Sequence, residues 1–274
     1  MKSSIFIKSY EKDQVWLTWC LRFLCKYWMG TPQIVIMAPN VMHGEIDAAM
    51  ETGQGWKDVQ PIRNAYKFCE MEPWPNDYIG QQYFKMMADL YCDGQYITYL
   101  DSDTMLVRPL GLADLLVDDY RPKFYVTPYI RIPDAARWQE VVFDLFGERT
   151  KFEYMRRLPV THHRHVVTAC RSYLENKHQK QLREIVQPRS LFSEFNVLGH
   201  FAFTRHPSLY AFLDTDKVAI EPNWVEQYWS HGGISKERIE QFKGELRRNW
   251  STDPLPSSNP QAQSEWANAR YLID

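Results

Sequence analysis

Two carboxylates one residue apart, Asp101 and Asp103, follow directly on Gln95-Tyr-Ile-Thr-Tyr-Leu100, a β-branched and aromatic run that reads as a strand. In an extended segment, residues two apart project on one side roughly 6–7 Å from each other. The pair can therefore share one hydrated divalent cation, and a cation held there can grip a diphosphate. A polar turn in which Asp103 caps the next element would use the same residues. A second copy, Asp214-Thr215-Asp216, follows Pro207-Ser208 and Leu209-Tyr-Ala-Phe-Leu213. That context reads as a short helix ending in a polar turn, not as a ligand site.

The surrounding pattern is that of an α/β protein. Ser4-Ile-Phe-Ile-Lys8 reads as a buried first strand, Tyr10-Glu-Lys-Asp13 as the polar turn opening a helix, and Gln14 to Trp28 as that helix. Gly30-Thr31-Pro32 ends it before a second strand, Gln33 to Met37, which makes a βαβ opening with a parallel sheet. A helix is predicted over Gln81–Tyr91, burying Tyr83, Met87 and Leu90 and turning Gln82, Lys85 and Asp89 outward. It leads into the strand that bears Asp101, in the place where such sheets put their ligands, outside a strand's carboxyl end. Lys123 to Thr127 and Val218 to Ile220 read as further strands, and Ser193 as the cap of a helix beginning at Glu194. The stretch from about 135 to 187 is helical and basic, an insertion or cap on one domain spanning 1–250. The Pro- and Ser-rich stretch 251–274 reads as a tail that packs back through Trp266 and Tyr271.

Composition narrows the function classes. The chain has 274 residues, enough for a sizeable core. Its five cysteines form no Cys-x-x-Cys pair, which argues against a disulfide framework and a structural zinc, and for a reducing, cytoplasmic setting. No leader pattern opens the sequence, and the most apolar stretch, Val15 to Met29, is broken by Arg22 and Lys26, so no membrane span is expected. Aromatic residues make up 15% of the chain, enough to line a groove for sugar rings as well as a core. Charge is uneven: residues 154–189 hold six Arg, two Lys and two Glu, a net +6, against a total of −2, and four of the eight histidines lie there. That segment is either a solvated helical face or a patch for an anionic partner.

Gln81-Gln82 with Lys85, Tyr99-Leu-Asp-Ser-Asp-Thr104 with Arg108-Pro109, Ser193-Glu194-Phe195-Asn196 and Trp229-Ser230-His231-Gly232-Gly233 occur in an order that resembles the GT-A glycosyltransferases. The resemblance runs from about Ile5 to Ile234 and is nearest to an uncharacterised bacterial and phage group of GT-A-like proteins. It implies a Rossmann-like mixed sheet flanked by helices, a nucleotide-diphosphate sugar as donor, and Mn²⁺ or Mg²⁺ held by Asp103 and His231, with Asp101 supporting the ribose or a metal-bound water. That ion would stabilise charge growing on the leaving diphosphate. Gly232 and Gly233 would let backbone amides approach phosphate oxygens. Donor binding is expected at Lys8, Ser9 and Tyr10 after the first strand, and at Asp101 and Ser102. Lys85 would either reach the diphosphate or stay solvated. Glu194 is the candidate general base toward the acceptor hydroxyl, although a first-turn glutamate also suits the helix dipole without catalysis.

The expected function is metal-dependent transfer of a sugar to the hydroxyl of a glycan or of a hydroxylated base in phage DNA, the latter held by segment 154–189. A sugar nucleotidyltransferase shares the sheet and metal chemistry, but it opens with a Gly-rich phosphate loop, and the first loop here, Lys8-Ser9-Tyr10-Glu11, has no glycine. A non-catalytic nucleic-acid-binding module is a third reading. Near-neutral charge and the lack of a binding motif count against it.

Overall fold

The computed structural model of the chain describes residues 2–44, 46, 66–118, 120–155, 158–218, 223–228, 230 and 233–247. Strand β1 (Ser3–Lys8) is buried from Ser4 onward, as suits a strand covered on both faces. A short helical turn, Glu11–Asp13, leads into helix α1 (Gln14–Tyr27), and a two-residue strand β2 (Trp28–Met29) precedes β3 (Gln33–Ala38). Next come β4 (Tyr66–Glu70), α2 (Asp77–Met86), β5 (Tyr96–Asp101) and β6 (Thr104–Leu106). The central sheet runs β11-β5-β1-β3-β4, and its edge strand β11 (Val160–His163) is antiparallel to β5 while the other neighbours are parallel.

Side chains alternate across this sheet and divide the core in two. Ile5, Ile7, Ile34, Ile36 and Leu100 face α1, where they meet Leu17, Cys20 and Leu24. Phe6, Val35, Met37, Ile97 and Tyr99 face the other way. There they are covered by α2, α4 (Arg164–His178) and α6 (Glu194–Arg205). Full burial of each such side chain contributes about 1.5–3 kcal/mol.

The chain between β6 and β11 contains β7 (Leu110–Gly111), β8 (Leu116–Val117), β9 (Arg121–Pro128), α3 (Ala136–Phe146) and β10 (Phe152–Glu153). A second sheet centres on β9, which pairs with β8, β10 and β12 (Ala211–Asp214). Strand β13 (Val225–Gln227) pairs antiparallel with β6, and α7 (Lys236–Arg247) packs on α1 through Phe242. The basic stretch 135–187 is mostly helical, in α3, α4 and α5 (Leu182–Val186), and it also supplies β11 to the central sheet.

Three expectations change. Residues 211–214 form a parallel strand on β9 rather than the end of a helix, because Phe212 packs against Phe124 and Phe203 of the second core face. Helix α2 begins at Asp77, four residues earlier than expected, since the Asn76 side chain caps it by accepting from the amides of Tyr78 (3.0 Å) and Ile79 (3.3 Å). The helix ends at Met86 and its polar face is turned inward: Gln82 and Lys85 are buried, as is Asp89 in the short helical turn that follows (Ala88–Leu90), while Leu90 is 55% exposed. Residues 219–220 of the expected strand and the tail 251–274 lie outside the described residues.

Candidate active site at the switch point of the sheet

The connections from β1 lead to β3 and β4 on one side, and the chain then returns to lay β5 on the other. The strand order therefore reverses between β1 and β5, and the crevice beyond the carboxyl ends of those two strands is where open α/β sheets bind ligands. Lys8 and Asp101 end the two strands opposite each other in register. Every donor-side residue expected from the sequence and within the described part is in this neighbourhood.

Asp101 is the last residue of β5, but Ser102 and Asp103 form a turn rather than an extended segment, so strand pleating does not set the spacing of the two carboxylates. Asp103 is 8% exposed, and its carbonyl accepts from the Tyr228 amide at 2.8 Å. Burial, then the neighbouring charges of Asp101 and Asp13, push its acid up to about 8, against the pull of backbone amides that include Ser230. Ser102 Oγ donates to Asp13 Oδ2 at 2.8 Å, while Asp13 Oδ1 and Thr104 Oγ1 are buried without a hydrogen-bond partner. Three carboxylates and unsatisfied oxygens suit a hard divalent cation in donor type. Among the described residues no three His, Cys, Asp or Glu side chains converge closely enough to ligate one ion by themselves. His231 and Gly232 lie outside the described residues; Gly233 is described, with φ at +81°, a conformation that favours glycine.

On the other side of Asp101 is Lys85. Its Nζ is 2.6 Å from Asp101 Oδ1 and 2.8 Å from Glu194 Oε1, and 4.6 Å from the centre of the Phe195 ring. Burial alone would lower this ammonium, but the two carboxylates more than offset it and hold it above its ordinary value. Burial raises the Glu194 acid, and Lys85 works against that rise. Asp101 Oδ2 also accepts from Gln227 Nε2 at 3.2 Å, and Gln82 Oε1 accepts from the Glu194 amide at 3.3 Å. Lys85 is thus neither solvated nor free to reach a ligand; it ties β5 to the start of α6, where Ser193 caps the helix by accepting from the Asn196 amide.

Around Lys8 the pattern differs. It is 2% exposed, and its Nζ lies 5.5 Å over the Tyr10 ring. Ser9 is buried with its hydroxyl unpartnered. From the sequence, Asp13, Gln82 and Ser230 stood inside the helix-opening turn and the family-like motifs without a role of their own, and Gln227 was not singled out. Asp13 had one signal, a charged residue just beyond the first strand, and Ser230 had its place beside His231; Gln227 had none, being 126 residues from Asp101 in the chain.

The remaining expectations lie elsewhere. Asp214 ends β12 and Asp216 sits in the turn after it, with Lys217 at 3.2 Å from Asp214 and Arg131 at 3.0 Å from Asp216. In the basic segment, Arg171 pairs with Asp89 at 2.7 Å, Arg183 with Glu72 at 2.8 Å and Arg189 with Asp144 at 3.4 Å, so much of its charge is compensated in space. Arg156 and Arg157 lie outside the described residues. A cleft walled by Tyr125, Asp114 and Trp224 opens beside this end of the sheet, but none of Lys8, Lys85, Asp101, Asp103 or Glu194 lines it.

No protein-family model and no curated protein matches the sequence. Solved structures do. The galactosyltransferase LgtC, in complex with donor and acceptor sugar analogs, matches at a TM-score of 0.53 and 12% identity, over 96% of this chain and 99% of LgtC. The fold is that of a GT-A glycosyltransferase. The apo form of the glycosyltransferase GlyE from Streptococcus pneumoniae TIGR4 matches at 0.48 and 11% identity, and a second GlyE structure at 0.47 and 12%. This chain spans 64% of the length of GlyE. At such identities the likeness to LgtC speaks for the GT-A fold alone, with the acidic turn of β5 at its switch point. Among the described residues no helix is long and apolar enough to cross a membrane.

Proposed function

We propose that this chain is a metal-dependent glycosyltransferase that moves a sugar from a nucleotide-diphosphate donor to the hydroxyl of a glycan acceptor. One observation carries the reading: a GT-A sheet whose switch point holds Asp101 at the end of β5 and the buried Ser102-Asp103 turn after it, with Asp101 fixed from both sides by Lys85 and Gln227. Asp103, with His231 and the donor's own phosphate oxygens, would hold Mn²⁺ or Mg²⁺, supported by Asp101. When bound, that ion supplies Lewis-acid stabilisation of the departing diphosphate. Ser9, Tyr10 and Ser102 take the base and ribose end of the donor.

Glu194 accepts the proton of the acceptor hydroxyl in this reading. Its carboxylate rests on Lys85, so acting as base requires that ion pair to open toward the acceptor. The paired arginines of 154–189 weigh toward a glycan rather than a DNA acceptor. The absence of glycine in the first loop supports transfer over nucleotidyl transfer. A panel of nucleotide sugars, assayed by calorimetry for Mn²⁺-dependent binding and by product release for slow hydrolysis, tests the proposal. One donor bound and hydrolysed only with the metal is the expected result. A chain that binds none of them with or without Mn²⁺ would overturn it.

A further inference from the structure

Buried ammonium groups normally have a carboxylate in contact, because an unpaired charge removed from water costs several kcal/mol. Lys85 has two. Lys8, at the end of the adjacent strand, has none: no ion pair or hydrogen bond engages its Nζ among the described residues, and its contact is with the face of Tyr10. Asp77, Asp13 and Asp101 attract it from beyond ion-pair distance, Lys85 repels it, and burial, the largest influence, brings its ammonium down to about 8. Beyond Lys8, two atoms are buried without partners, Ser9 Oγ and, in the helical turn that follows, Asp13 Oδ1. Unsatisfied groups of this kind are rare in folded proteins, and here they gather at the switch point of the sheet.

We propose that the Lys8 ammonium is the receptor for the donor's diphosphate, binding a non-bridging phosphate oxygen as a compact point charge. The inference rests on the glycosyltransferase reading and adds to it a phosphate ligand from the protein itself. Held this way, Lys8 is an uncompensated charge in the free protein and a paired one in the complex. The ligand, not the fold, balances it.

Magnesium pyrophosphate titrated into the full chain by calorimetry, beside thermal unfolding of the ligand-free proteins, tests this with Lys8→Met and Lys8→Arg. The Met variant matches the stem in length without the charge. Its pyrophosphate affinity should fall by about 10- to 100-fold, the range for a lost hydrogen bond to a charged group. Its melting temperature should be unchanged or higher. Arg should keep most of the binding. A Met variant that binds pyrophosphate like the wild type, while the wild type hydrolyses a nucleotide sugar, would overturn the inference and leave the enzyme reading standing. A Met variant less stable than the wild type would also overturn it, since a charge that serves the fold stabilises the free protein. A wild type that binds neither pyrophosphate nor any nucleotide sugar would remove both.

Discussion

A buried lysine Nζ within 3 Å of two carboxylates and a second, also buried, with none in contact define the site at the scale of single residues. The first is structural in energy: deleting one member of such a buried set leaves its partners unpaired. Lys85→Met is expected to destabilise the protein by about 3–5 kcal/mol, read from a urea denaturation midpoint. Asp103 is placed differently, in a turn where burial already favours its neutral form. Asp103→Asn should therefore leave the fold intact while removing most metal-dependent donor binding, and unchanged Mn²⁺-dependent affinity by calorimetry would count against the metal assignment. For Glu194→Gln, turnover should drop by about 10²- to 10⁴-fold with donor affinity nearly unchanged. Normal turnover combined with lower stability would assign Glu194 to holding Lys85 in place. Asp101, Asp103 and Glu194 were legible because each follows a recognisable strand end or helix start. The partnership among Asp101, Lys85 and Glu194 was not, since helical spacing shows which residues share a face but not which face is covered.

Helix α2 shows why. Gln82 and Lys85 share a polar stripe at helical spacing, and polar stripes ordinarily face water. This one faces inward because Asp101 and the α6 start offer it partners, and Lys85 and Gln82 are buried. Strands β1, β3, β5 and β9 and helices α1 and α6 were recoverable from apolar runs and their caps, which are local signals. Strand β12 was not, because its neighbour β9 lies more than 80 residues away. Close approach between elements yields a further prediction. A Cβ added to Gly199 on α6 would lie 2.4 Å from the Cβ of Tyr154. Tyr154 is 1% exposed and its amide donates to Asn196 Oδ1 at 2.9 Å, so it cannot withdraw cheaply. Gly199→Ala is expected to cost about 1–3 kcal/mol by denaturant titration. Gly244→Ala, exposed on α7 with nothing within 4 Å, should instead gain about 1 kcal/mol from helix propensity alone.

Over the whole molecule, the separation of charge read from the sequence is undone by folding, since arginines of the basic stretch meet acidic residues as far as 111 positions away. The pairs near the surface, Arg183–Glu72 and Arg189–Asp144, each contribute at most about 1 kcal/mol, so they set charge distribution more than stability. The histidines of the same stretch matter more. His162 is fully buried among Phe124, Tyr99 and Tyr210, with Nδ1 3.1 Å from the Tyr210 hydroxyl, and burial followed by His163 lowers its pKa to about 3. The unfolded chain titrates near the ordinary 6.5. Above that value both states are neutral at this position, and stability does not depend on pH through it. As pH falls below 6.5 the unfolded chain takes up a proton that the folded chain refuses, so stability is lost at about 1.4 kcal/mol per pH unit until the folded pKa is reached. Raised carboxyl groups at Asp103 and Glu194 act with the opposite sign in the acidic range, which makes the slope of the wild type alone a poor test. The difference between proteins isolates the histidine. In His162→Asn, the side-chain oxygen keeps a partner for Tyr210 but cannot titrate in this window. The variant should be less stable than the wild type at pH 7, and its deficit should shrink by about 1.4 kcal/mol for each unit from pH 6.5 to pH 4.5. Urea denaturation of both proteins at pH 7, 6 and 5 measures it; parallel stability profiles would show that His162 titrates normally in the folded chain.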